Sequence, residues 1–288
     1  MKFHLITGPT SAEETPMIEG FFKSACEKFG VEYIPYDVHV TDPANLSDLG
    51  SDDMLYRSKV GPQARLIERL LISQSCSHFY TNWAAAFNIR GGSYYLHKKL
   101  GLPVIPTVPF LPKTNEGILK AVDELGQFPI IVKAVGGSNG VGVMRIDSLQ
   151  SLRSVLDYLR SVGAQVLLRK YVPHEYYARM VVVGDKVVAS HTTYTNEEEF
   201  RTNAGKQEDN KREARVFSDE IQNICVKAVH AHGSLTGGVD LLFDEKDNPY
   251  IAEVNFPNDF GCTQKITGID IAGEMISYLM KTNASTTK

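Results

Sequence analysis

Residues 238–260 read GVDLLFDEKDNPYIAEVNFPNDF, and the way this stretch pairs with itself decides the fold. Two apolar, β-branched runs, 237–243 and 249–255, flank a polar segment at 244–248, which predicts a β-hairpin. A turn centred between Lys246 and Asp247 sets Asp240 directly opposite Glu253. Opposed residues have Cβ atoms roughly 4.5–5.5 Å apart, a separation at which two carboxylates repel. Asn255 shares a face with Glu253 by the two-residue period of a strand. The neighbours Val239, Leu241, Ile251 and Val254 are apolar, so this is not a freely solvated acidic edge. Two carboxylates and an amide oxygen on one strand pair suit a hard cation. Mg²⁺ there would remove the repulsion and bridge phosphates. Taken alone, the hairpin also allows one acid to point outward or to pair with a lysine, and a one-residue register slip would part them.

Upstream, residues 130–143 read IIVKAVGGSNGVGV. Gly136, Gly137, Gly140 and Gly142 follow an apolar strand, and together with Ser138 and Asn139 they form a loop whose backbone N–H groups suit an anion. Gly137 and Gly142 have Walker spacing, but Val143 and Met144 stand where that motif needs Lys and Ser or Thr. A dinucleotide fingerprint needs a helix directly after the loop. Here residues 141–146 read as a returning strand, and a helix begins only near Ser148, with Asp147 and Gln150 at capping-box spacing. The unit is therefore strand, glycine flap, strand, with Lys133 on the incoming strand in reach of a phosphate. By itself it also reads as a glycine-rich hairpin with a solvated lysine.

Around these two stretches the chain of 288 residues has room for two or three lobes. Strand-like and helix-like runs alternate at 3–7, 14–29, 31–38 and 62–72, the rhythm of an open α/β layer with a mostly parallel sheet. The segment 196–212 is polar and reads as a mobile loop, and the tail from Asn283 as frayed. A net charge of −4 gives no basic field for nucleic acid or an anionic membrane, so neither is expected as a partner. No apolar run reaches the ~18 residues of a membrane span, and MKFHLITGP is too short for a signal peptide. Cys26, Cys76, Cys225 and Cys262 are scattered without a CxxC pair, which suits reduced thiols in a cytoplasmic protein. His174, His191, His230 and His232 are not at metal-binding spacing and read as surface or core residues.

Five segments in order, 130–143, KYVPHEYYARMVVVGDKVVAS at 170–190, EEFRTNAG at 198–205, 238–260 and TGIDIAGEMI at 267–276, resemble the ATP-grasp superfamily. The resemblance is to its branch with the ribosomal-protein glutamate ligase and the lysine-biosynthesis carrier-protein ligase. It implies an α/β (α+β) fold: an N-terminal open parallel α/β domain over 1–95, then a central lobe over 96–172 and a C-terminal lobe over 173–288 that clamp ATP. By position it implies that Lys133 contacts ATP phosphates, that the 136–142 flap covers them, and that Lys170, Tyr171 and Val172 form the hinge whose backbone holds adenine. Arg201 and Asn203 would lie near the γ-phosphate, with Arg179 beside them. Asp240, Glu253 and Asn255 would hold Mg²⁺, or Mn²⁺ in its place. Arg57 and Asn258 would face substrate, and a homo-oligomer, dimer or tetramer, is implied. The chain departs from the family at Asn88, where a lysine is usual (Arg90 is close by), at Lys170, where Glu or Gln is usual, and at Tyr177, where Asp is common.

The activity implied is carboxylate–amine ligation through an acyl phosphate, with release of ADP and phosphate. Positioning and charge neutralisation would supply the catalysis. The carboxylate could belong to an amino acid, a peptide or a carrier protein. Intramolecular ring closure on the same fold, and a non-catalytic nucleotide-binding scaffold, are the alternatives.

Overall fold

The computed structural model describes residues 1–8, 15–82, 93–110, 112–134, 140–195, 200–201 and 210–286. The calls on Asn88, Arg90, Gly136, Gly137, Ser138, Asn139 and Asn203, and most of the polar segment at 196–212, lie outside them.

The first sheet is parallel, with β1 (Lys2–Thr7) between β2 (Glu32–Asp37) and β3 (Asp53–Arg57). Helix α1 (Thr15–Phe29) ends at Gly30, whose φ of 64° is the left-handed turn that glycine adopts most easily, and α2 (Pro62–Leu71) follows β3. β3 is a strand that the sequence reading did not name. The Phe79–Tyr80 strand expected instead is only an isolated bridge from Tyr80 to Ser234.

After α3 (Ser93–Lys99), a second sheet orders β4 (Thr107–Val108), β7 (Val166–Lys170), β5 (Ile130–Ala134) and β6 (Val143–Ile146), all antiparallel. Helices α4 (Asn115–Glu124) and α5 (Leu149–Ser161) cover one face with Ile118, Val122, Leu152 and Leu156. The cap of α5 is Ser148, whose hydroxyl accepts from the Ser151 amide at 3.2 Å. The capping box expected at Asp147 and Gln150 is therefore one residue out of place. Asp147 pairs instead with Arg145 at 3.0 Å.

The third sheet runs β10 (Arg212–Ala214), β9 (Lys186–Tyr194), β8 (Tyr176–Val183), β11 (Thr236–Phe243) and β12 (Pro249–Asn255). Helix α6 (Asp219–His230), capped by Ser218, packs on it through Cys225, Ala228 and Val229. The chain then passes through α7 (Gly261–Thr267) into α8 (Ile271–Thr286), which continues past the residues expected to fray. Ile271, Met275, Ile276 and Leu279 of α8 share one core with Phe3, Phe22 and Met54, so the end of the chain closes the first layer. All four cysteines are free thiols, three of them buried. No helix among the described residues is long and apolar enough to cross a membrane.

Candidate functional site

The acids face each other as the sequence predicts, though not by the predicted turn. Beyond Leu241 the strands pair as Leu241 to Ile251 and Phe243 to Pro249, which centres the turn on Lys246. Continued without interruption, that register would put Ala252 opposite Asp240. A β-bulge between Asp240 and Leu241 shifts the pairing by one residue and restores Asp240 to Glu253 and Gly238 to Asn255. Two contacts hold the bulged strand: the Ile251 amide donates to the Pro103 carbonyl at 2.8 Å, and Arg169 Nη1 donates to the Ala252 carbonyl at 3.0 Å. Arg169 belongs to β7, so the second sheet grips the third at the residue where the ladder is broken.

Antiparallel partners share a face, and the register across four strands lines up His191, Arg179, Asp240 and Glu253 as one polar row. Asp240 is only 6% exposed. Arg179 donates to it twice, Nε to Oδ1 at 2.5 Å and Nη2 to Oδ2 at 3.1 Å, and Asn255 Nδ2 donates to Oδ2 at 3.0 Å. Burial disfavours the charge on Arg179, but the Asp240 carboxylate outweighs it and holds the guanidinium above its ordinary range. Glu253 is more open, with Lys133 Nζ of β5 reaching across to its Oε2 at 3.5 Å. His191 ends the row. Burial, then Arg179 and Arg212, push its imidazole down to about 4, so the ring is neutral at pH 7.

These groups line a cavity of about 420 Å³ between the second and third sheets. Its walls include Lys133, Gly140, Lys170, Tyr171, Val172, Arg179, Arg201, Asp240, Glu253 and Asn255 from the predicted set. Arg201 Nη1 donates to the Gly140 carbonyl at 3.4 Å, which ties the loop after β9 to the end of the flap. Gly142, with φ of 83°, turns the chain into β6, and its carbonyl accepts from Ala134 N at 2.8 Å. The strand, loop, strand topology read from the glycine spacing is thus present. Apolar walls come from Ile105, Ile131, Val143 and Leu242.

Two predicted substrate residues stand elsewhere. Arg57 is 4% exposed, its Nε donating to Glu68 Oε2 at 2.6 Å while Tyr80 holds the other Glu68 oxygen at 2.5 Å. Its charge is already matched inside the first layer, and Arg57 is absent from the cavity wall. Asn258 is also buried, with Oδ1 accepting from Arg179 Nη1 at 3.2 Å; it braces the arginine. Four residues escaped the sequence reading: Arg169, His174, His191 and Gly238. A Cβ on Gly238 would come within 2.1 Å of Asn258 Oδ1 and 2.8 Å of Arg179 Nη1. Gly238→Ala should displace both side chains, cost about 1–3 kcal/mol by overpacking and weaken the site, as denaturant melts and nucleotide titration would register.

The layout is that of a two-sheet clamp. Residues 96–279 match the family model described as RimK-like ATP-grasp domain, and the chain belongs to that family. It is 32% identical over 189 residues to a probable alpha-L-glutamate ligase from a Picosynechococcus strain, covering 65% of this chain and 60% of the relative. It is 32% identical over 160 residues to the ribosomal protein bS6–L-glutamate ligase of Escherichia fergusonii, covering 55% of this chain and 52% of that one. The chain thus spans little more than half the length of the curated relatives it matches. Among solved structures, the ATP-grasp ligase PsnB complexed with minimal precursor, Mg and ADP shares the fold. The TM-score is 0.72 at 16% identity, over 98% of this chain and 97% of that one.

Among the described residues no group of three or more His, Cys, Asp or Glu side chains gathers to hold a metal. The set on β11 and β12 is of another kind: two carboxylates and an amide.

Proposed function

We propose that this chain is an ATP-dependent carboxylate–amine ligase whose ATP lies in the cavity between the second and third sheets. One observation carries the reading. A lysine and the end of a glycine loop on one sheet and two opposed acids on the other meet in a single cavity with Arg201. In this reading residues 96–172 and 173–288 are the two halves of the clamp, and residues 1–95 complete the substrate side.

The donor set fits Mg²⁺. Glu253 has one carboxylate oxygen 3.5 Å from a lysine that phosphate would attract away, and Asn255 spends its Nδ2 on Asp240, leaving its oxygen as an acceptor. When bound, the ion would neutralise phosphate charge. The chain's own residues do the rest: Lys133 and Arg201 place positive charge along the phosphates, the 171–172 hinge and the apolar wall hold the base, and Asn258 keeps Arg179 on Asp240. A substrate carboxylate oxygen attacks the γ-phosphorus and the bond to the β-phosphate oxygen breaks, giving an acyl phosphate and ADP. An amine nitrogen then attacks the acyl carbon, loses a proton, and phosphate leaves.

Glutamate is the first amino acid to offer, because the relatives are named for it. A peptide or protein carboxylate is the first partner, because PsnB was solved with a precursor peptide. ATP incubated with a pool of amino acids and peptides should yield a ligated mass together with ADP and phosphate. AMP and pyrophosphate would refute the acyl-phosphate route, and ATP use indifferent to added carboxylate and amine would refute the ligase.

A further inference from the structure

His174 lies two residues past Val172 and forms part of the same cavity wall. Its ring is held on one side by Nδ1, 2.8 Å from the Val172 carbonyl oxygen. A carbonyl can only accept, so the proton sits on Nδ1 and Nε2 carries a lone pair. Thr195 Oγ1 donates to the His174 carbonyl at 3.1 Å, which fixes the backbone as well. Burial holds the imidazole below its ordinary value, against the bond to Val172, and keeps it neutral near pH 7.

Nε2 is buried and has no hydrogen-bond partner among the described residues. An acceptor left in that state costs about 1–3 kcal/mol, so the position favours a ligand that brings an N–H or O–H group. The rest of this end of the cavity narrows the choice. Ile105, Val172 and Leu242 pack together as an apolar wall, which suits a flat neutral ring more than a phosphate. Lys170 and Arg169, the charged groups beside it, can only donate, so neither can satisfy the amine of a base or serve as acceptor for a sugar hydroxyl.

We propose that His174 Nε2 accepts a hydrogen bond from the nucleoside part of the bound nucleotide and thereby sets nucleotide selectivity. The inference rests on the ATP reading of the cavity. ATP carries the required donor in two places, the 6-amino group of adenine and the ribose hydroxyls, and the same acceptor would read either.

Calorimetry with Mg²⁺ and ATP, ITP, 2′-deoxy-ATP or 3′-deoxy-ATP separates them, using wild type, His174→Phe and His174→Gln. Wild type should prefer ATP by about three- to tenfold over whichever analogue lacks the donor, the worth of one neutral hydrogen bond. Discrimination against ITP identifies the base, and against a deoxy nucleotide the sugar. In His174→Phe that ratio should fall to about one, and in His174→Gln, which keeps an acceptor oxygen, part of it should return. Loss of the Nδ1 bond alone would weaken all four nucleotides by one common factor. Wild type that binds ATP but shows no such ratio, or a ratio untouched in His174→Phe, overturns this inference and leaves the ATP reading intact. Wild type that binds none of the four overturns both.

Discussion

Asp240→Asn is expected to cut turnover by at least about 10²-fold, the scale of losing one preorganised electrostatic group. It should also lower the stability of the free protein. Asp240 is 6% exposed and accepts both arms of Arg179. Removing its charge leaves a buried guanidinium facing a neutral amide. Breaking a buried ion pair costs about 3–5 kcal/mol, and the retained amide oxygen places this variant toward the lower bound. Glu253→Gln tests the other half of the pair. Its carboxylate is 46% exposed and Lys133 is 31% exposed, so the lost contact is worth no more than about 1 kcal/mol. Turnover should fall as far as in Asp240→Asn while the urea midpoint hardly moves. Full activity in either variant would contradict the metal assignment, and equal stability losses would contradict the division of roles.

Lys133→Ala should weaken ATP binding by about 10- to 100-fold, the equivalent of one charge-assisted hydrogen bond to phosphate. The residue lies on β5 with its ammonium 3.5 Å from Glu253, so in the free protein it is a counter-ion poised at the cavity. Lys133→Arg keeps the charge and should keep much of the affinity. Salt supplies a second signature: the gap between wild type and Lys133→Ala should narrow as ionic strength rises, since part of the loss is coulombic. Titration with Mg²⁺ alone should show no loss, because removing the lysine frees Glu253. Unchanged ATP affinity at low salt would take Lys133 out of the phosphate site.

Local rules made much of this legible. Apolar alternation with a polar turn is enough to specify the β11–β12 hairpin, since the two-residue period puts every second side chain on one face. The antiparallel β5–β6 pair around the glycines was legible for the same reason, as was the exclusion of a helix directly after them. Misreadings came where a neighbour decides. Ser148 outcompetes Asp147 as a helix cap because Arg145 takes the aspartate. Asp240 meets Glu253 through a bulge at Ala252, and that bulge is held by Pro103 and Arg169, groups far away in sequence.

The sequence by itself determined the order of elements, the glycine loop and the residue types of the cavity, because periodicity and turn chemistry act over a few neighbouring residues. Only the tertiary structure decided which charges neutralise one another. Arg57 is matched by Glu68 within the first layer, Arg179 reaches Asp240 from the adjacent strand, and His174 turns an unshared lone pair toward neighbours that can only donate. The physical reason is range: an ion pair forms where two side chains come within about 4 Å, and which segments come that close is fixed by strand order and packing.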